Sequence, residues 1–274
     1  MVNFLFNKTH SDFKIHSEFI SNSLGAFLIN LDRATDRLEF VKPHIDQLEI
    51  PLERISAVDG NLLSKKEIQK VCDQEQFKKY FKMVPERGTI GCSLSHEKVW
   101  KKFLESEYEF ALIFEDDVVF NPQELKTCIG KAIEKKNLWD ILSFEMIHDG
   151  WPLEVANLHA DRYLSYYLAS VKHSGCYLIN RNAAKKLLEK FYPIVMPLDH
   201  YFTASWEFDI KFAGVEPRII QQNFGASQIK IEPSKKSKDL SIKFSNAVFN
   251  VRRAIVGFFY NLILYFRMKN SANF

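Results

Sequence analysis

Residues Leu24–Leu31, LGAFLINL, form an apolar run with no polar alternation. A strand that reads this way has both faces covered, the pattern of a parallel sheet with helices on each side. Asp32–Arg37 breaks the run with charge, and Ala34–Leu48 follows with Leu38, Val41, Ile45 and Leu48 on one helical face. Pro43 lies inside that segment and is expected to kink or restart the helix. Arg54–Val58 reads as a second strand ending in Asp59-Gly60. Ser64–Lys79 reads as a polar surface helix with a Ser64/Glu67 capping box.

The alternation continues. Ser93–Leu104, Gln123–Lys135 and Asn182–Phe191 have helical patterns, the last capped by Asn180 or Asn182. Phe110–Phe114, Trp139–Phe144, Gly175–Ile179 and Val215–Gln221 read as strands. Strands separated by helices specify an α/β fold with a mostly parallel sheet, whose ligand sits beyond the carboxyl ends of the strands. Three such ends carry polar groups, at Asn30–Asp32, Asp59 and Glu115–Asp117, and neighbouring strands would bring them to one crevice. With 46% hydrophobic and 26% charged residues, disorder of the whole chain is excluded.

The acidic triplet Glu115-Asp116-Asp117 directly follows a buried-strand pattern. In extended backbone, residues i and i+2 share a side, so Glu115 and Asp117 would face one point and Asp116 the other way. Two carboxylates at one point favour a cation between them. Oxygen donors with no nearby Cys favour Mg²⁺ or Mn²⁺, which suits a diphosphate leaving group. The plainer alternative is a solvated acidic turn.

AFLINLDRATDR, ISAVDG, RGTIGCSLSHEKVW and ALIFEDDVVF occur in that order, followed by SGCYLINRNAAKKLL and MPLDHYF. Together they resemble the ordered motifs of glycosyltransferase family 25, the bacterial lipooligosaccharide galactosyl- and glucosyltransferases related to collagen galactosyltransferases. The resemblance covers roughly residues 24–223. It implies a GT-A-like fold, a nucleoside-diphosphate sugar donor (usually a UDP-hexose), a divalent metal and inversion at the anomeric carbon. By position it assigns Asn30, Leu31 and Arg37 to the nucleotide-binding first motif, and Asp59 and Gly60 to the second. Gly91, Ser95 and His96 fall on the donor side, and Glu115, Asp116 and Asp117 in the metal-binding acidic motif. Asp199 matches the acid of the late motif and would serve as the base. One departure is Gly175-Cys176, where the family often has Thr-His before the Tyr; His173 is the candidate stand-in.

The residues themselves fit those roles. An aspartate is ionised at neutral pH and accepts a proton as a bond forms, so Asp199 suits a base, with Glu207 and Asp209 as rivals. Asp199 also suits a helix N-cap after Pro197. His96 could donate to a diphosphate oxygen, and Ser95 could cap its helix while facing the same anion; a packed core histidine is the alternative. Two rival functions are a sugar-phosphate nucleotidyltransferase and a non-catalytic carbohydrate-binding protein. The first normally needs a Gly-rich loop that LINLDRATDR lacks.

Four cysteines spaced far apart give no CxxC signature and fit a reducing compartment. Met1–Ser23 reads as an extension rather than a targeting signal. Residues 24–229 are expected to be the catalytic domain and residues 230–274 a basic amphipathic tail. The tail holds nine basic and two acidic residues, a net +7, which leaves −4 for the rest of a chain whose formal charge is +3. That imbalance points to an anionic membrane surface rather than nucleic acid. Phe244, Val248, Val251, Ile255, Phe258, Phe259, Leu262 and Phe266 recur at helical spacing, opposite a narrow stripe of Lys243, Asn246, Asn250, Arg253, Gly257 and Asn261. The unbroken apolar stretch is shorter than the ~20 residues of a bilayer span, so the tail is expected to lie in the interface plane, or to pack on the domain or a second subunit. The 24 Phe fit a large core, a lipid contact, or both. The expected setting is the cytoplasmic face of a bacterial inner membrane, with a lipid-linked oligosaccharide acceptor.

Overall fold

A computed structural model describes residues 23–81, 84–148, 150–169, 171–172, 174–223 and 240–272. The expected extension 1–23, His173 and the start of the tail therefore lie outside the described residues, apart from Ser23. Ten strands are described: β1 (Leu24–Asn30), β2 (Leu52–Ser56), β3 (Phe110–Glu115), β4 (Val118–Phe120), β5 (Ile141–Ser143), β6 (Pro152–His159), β7 (Arg162–Tyr167), β8 (Cys176–Asn180), β9 (Phe212–Glu216) and β10 (Ile220–Gln222). The described helices are α1 (Thr35–Asp46), α2 (Lys65–Val71), α3 (Gln74–Phe81), α4 (Arg87–Glu105), α5 (Pro122–Glu134), α6 (Arg181–Glu189), α7 (Leu198–Thr203), α8 (Ser205–Phe208) and α9 (Leu240–Ala272).

Eight strands form one sheet in the order β2-β1-β3-β8-β5-β9-β7-β6, and β4 pairs with β10 apart from it. The sheet is mostly parallel; β8 and β7 run against the others. The reversed β8 and the β6–β7 hairpin depart from the simple alternation expected of the sequence. All seven residues of β1 are buried. Ala26 and Leu28 face a core shared with Val41 and Ile45 of α1 and Leu125 of α5. Phe27 and Ile29 face a second core with Val99, Trp100 and Phe103 of α4. One strand feeding two cores is the physical meaning of the unbroken apolar run.

Local corrections have local causes. Helix α1 continues through Pro43 without restarting, because Pro43 forfeits one amide hydrogen bond while buried Val41 and Ile45 hold the turn in place. The expected helix 64–79 is two helices. The capping box forms, but Cys72 bridges to Ile194 and Asp73 caps α3 through Gln76 N at 2.9 Å. Helix α4 starts at Arg87, earlier than the apolar spacing indicates. Helix α6 is capped by Asn180, whose side chain accepts from Ala183 N.

Candidate active site

Strands β2, β1 and β3 are parallel neighbours, so their carboxyl ends share one sheet edge. Asn30, at the end of β1, is almost fully buried and donates to Asp116 Oδ2 (2.7 Å) and to Ala34 O (2.9 Å), while its Oδ1 accepts from Arg54 Nε (2.9 Å). Arg37 on α1 donates to Asp116 Oδ1 at 2.8 Å and lies 3.7 Å from Asp117. Asp116 is thus turned away from its acidic neighbours into a knot with Asn30 and Arg37. The cause differs from the extended-strand expectation: β3 ends at Glu115, and Asp116-Asp117 form a turn before β4.

Asp117 has a buried Oδ1 with no hydrogen-bond partner. Burial, reinforced by the Glu115 charge, pushes its carboxyl up to about 7. Glu145, buried just after β5, adds to that repulsion and accepts from Gly175 N at 2.9 Å. Gly175 is needed there, because a Cβ would stand 2.5 Å from Glu145 Oε2. The Gly175-Cys176 pair is therefore what admits a fully buried acid. Sequence reasoning missed Glu145, although Ile141–Glu145 repeats the signature of an apolar run closed by an acid.

Glu115 is held by Ser174 Oγ (2.9 Å) and by His96 Nε2 (3.3 Å) on α4. The other imidazole nitrogen meets Tyr177 Oη at 2.8 Å, and Tyr177 Oη accepts from Trp100 Nε1 at 2.9 Å. A carboxylate only accepts, so His96 Nε2–H donates to Glu115, His96 Nδ1 accepts the Tyr177 phenol hydrogen, and Tyr177 Oη accepts from the indole. Burial keeps Tyr177 a phenol, with its pKa well above the usual value. His96 is thus a positioning residue for Glu115.

Cys92, one turn before His96, completes a second constellation: ligand atoms of Cys92, His96 and Glu115 lie within 4.8 Å of one another. This corrects the expectation of acids with no nearby cysteine. Burial first, then the charges of Glu115, Asp199 and Asp117, raise the Cys92 thiol well above its usual value. A protonated thiol and an imidazole committed at both nitrogens are poor ligands. Glu115 and Asp117 are the better-suited pair for a hard cation, and the buried, unpaired Asp117 Oδ1 is the observation that fits one.

Asp199 of α7 acts on the same Cys92 thiol as Glu115 and Asp117. Asp199 is half-buried and sits in the first turn; the N-cap is Pro197, which corrects the capping expectation. The rival bases are committed elsewhere: Glu207 pairs with Arg253 (2.6 Å) and Asp209 with Lys186 (2.9 Å).

Other expected donor residues build the walls instead. Ser95 lies inside α4 rather than at its cap, donating to Gly91 O (2.7 Å) and accepting from Val58 N (2.8 Å). A Cβ on Gly91 would stand 2.6 Å from Val58 O, and one on Gly60 would strike the Arg87 carbonyl. These three residues join the loop after β2 to α4. Asp59 pairs with Arg33 and caps the following turn through Asn61 N (3.0 Å). Leu31 contributes its carbonyl to Ala34 N.

Residues 24–202 match the sequence profile of glycosyltransferase family 25, described as an LPS biosynthesis protein. The chain belongs to glycosyltransferase family 25. The match covers β1, the acidic turn, α4 and Asp199, so it spans the whole candidate site, and the α/β architecture agrees with the family's GT-A-like fold. The chain is 30% identical to a human protein named procollagen galactosyltransferase 2, over 71% of this chain and 34% of that one. It is 28% identical to procollagen galactosyltransferase 1-B of Xenopus laevis, over 71% of this chain and 35% of that one. It is also 28% identical to a glycosyltransferase 25 family member of Anopheles gambiae, over 64% and 30%. The chain spans about a third of the length of the curated relatives it matches.

Proposed function

We propose that this family 25 member transfers a hexose, galactose in preference to glucose, from a UDP-sugar to a lipid-linked saccharide of the lipooligosaccharide-core type. The setting would be the cytoplasmic face of a bacterial inner membrane. The observation that carries the metal-dependent part is Asp117: a buried oxygen with no partner, in a carboxyl that Glu115 and burial make costly to charge. The galactose preference leans on the relatives' printed names, and the core-type acceptor on the family's description.

Glu115 and Asp117 would hold Mn²⁺ or Mg²⁺. When bound, such an ion neutralises charge growing on a departing diphosphate. His96 fixes the Glu115 carboxylate through its Nε2–H. Arg37 and Asn30 hold Asp116 away, which leaves Glu115 and Asp117 to share the cation. Asp199 accepts the acceptor hydroxyl's proton as the new glycosidic oxygen bond forms, on the face opposite the leaving UDP, so the anomeric configuration inverts.

The test is UDP release by the purified full chain from UDP-galactose and UDP-glucose with Mn²⁺. Slow release that excess chelator stops and Mn²⁺ restores is the expected result. Undiminished release in chelator would remove the metal from the mechanism. Sugar binding with no release would make the chain a carbohydrate-binding module.

A further inference from the structure

Helix α9 contains a segment, Ala247–Asn270, of 24 residues that is long and apolar enough to cross a bilayer. This corrects the length argument made from unbroken apolar residues. Its packing, however, is along the domain. Phe249 stacks on Tyr80 of α3 with centroids 3.8 Å apart. Arg253 pairs with Glu207 on α8 (2.6 Å) and lies over the Trp206 ring. A Cβ on Gly257 would stand 2.5 Å from Trp206. Asn261 Nδ2 donates to Tyr167 O at 2.8 Å, and Lys269 Nζ to Glu154 O at 2.8 Å. A bilayer-spanning α9 would forfeit all of these.

The helix has two apolar faces: Phe249, Leu264, Tyr265 and Met268 join the domain's apolar surface, and a second apolar face is left outward. The polar stripe residues Arg253, Gly257 and Asn261 face the domain. Val248, Val251, Ile255, Phe259, Ile263 and Phe266 face outward, each 52–60% exposed. At about 100° per residue, Gly257 stands half a turn from both Val248 and Phe266. The outward ribbon runs about 27 Å and is about 10 Å wide, roughly 300 Å², against the ~800 Å² per partner of a standard protein interface. Its exposed charges, Arg252 and Arg267, are both positive, and α9 carries no acidic residue.

We propose that the outward face of α9 seats this protein on an anionic bilayer, with the helix lying in the plane of one leaflet. An apolar ribbon flanked by arginines matches a lipid surface in both hydrophobicity and charge. The proposal rests on, and deepens, the lipid-linked acceptor reading. Helix α8, which α9 grips through Glu207 and Trp206, directly follows the helix carrying Asp199, so α9 ties the lipid-facing surface to the segment that carries the base.

Vesicle flotation of the full chain tests this without turnover, so its outcome is independent of donor chemistry. The chain is expected to float with phosphatidylglycerol-containing vesicles, less with phosphatidylcholine alone, and to be released by alkaline carbonate. Val251→Glu/Ile255→Glu/Phe259→Glu should lower the bound fraction about tenfold or more at unchanged circular dichroism. Phe259→Ala, a milder change, should lower it in the same direction. Retention after carbonate would mean a spanning helix and overturn the proposal. Undiminished binding by both variants would overturn it, as would a full chain that ignores vesicles and elutes as a dimer that the triple change dissociates.

Discussion

The sheet edge at the ends of β1 and β3 and the helical segment α7–α8 hold their acids in opposite ways. At the sheet edge, Asp116 is consumed by Asn30 and Arg37, and Glu115 is held by Ser174 and His96. Asp117 keeps a buried oxygen, Oδ1, unpaired. In the helical segment, Glu207 and Asp209 are tied to Arg253 and Lys186, while Asp199 stays half-buried in the first turn of α7. The contrast teaches that neighbouring carboxylates of one motif separate into structural and chemical roles by their partners. An acid whose charge the fold neutralises with a cationic partner is structural; one whose charge the fold penalises is available for chemistry.

The sharpest way to break this division is Asp117→Asn. Transfer is expected to fall about 10³-fold or more. Without metal, the melting temperature should rise, because the change removes a charge that burial and Glu115 disfavour. A lower melting temperature would move Asp117 to the structural class. Next, Asp199→Asn should lower kcat about 10²- to 10⁴-fold while calorimetry shows UDP–Mn²⁺ binding unchanged. Equal loss of nucleotide affinity would place Asp199 on the donor side. The smallest effect is on Asp116→Ala, which leaves Arg37 and Asn30 facing a gap and should cost about 2–3 kcal/mol in urea unfolding. An unchanged midpoint would show that the Asn30–Asp116–Arg37 knot does not hold the crevice together.

Much of this arrangement was legible in the sequence. The unbroken apolarity of Leu24–Asn30 foretold a doubly covered strand, and acids at the ends of neighbouring strands foretold a shared crevice. Residues whose roles depend on distant partners were not legible. Nothing local says that Glu145 is buried beside Asp117, or that Ser95 bonds to Val58 rather than to a phosphate. The tail shows the same limit: its periodicity predicts the helix and its two faces, but only the packing of Arg253, Gly257 and Asn261 against the domain tells which face turns out.

The hydrogen-bonded row from Trp100 through Tyr177 and His96 to Glu115 has a direction, because its far end can give a hydrogen but never take one. A fully buried indole at one end and an acceptor-only carboxylate at the other therefore orient the phenol and the imidazole between them. Exchanging that indole for a phenylalanine of adequate bulk would leave the interior filled, yet would strip the phenol of its donor and loosen its hold on the imidazole behind the glutamate, so an apparently inert interior position would be felt in the chemistry.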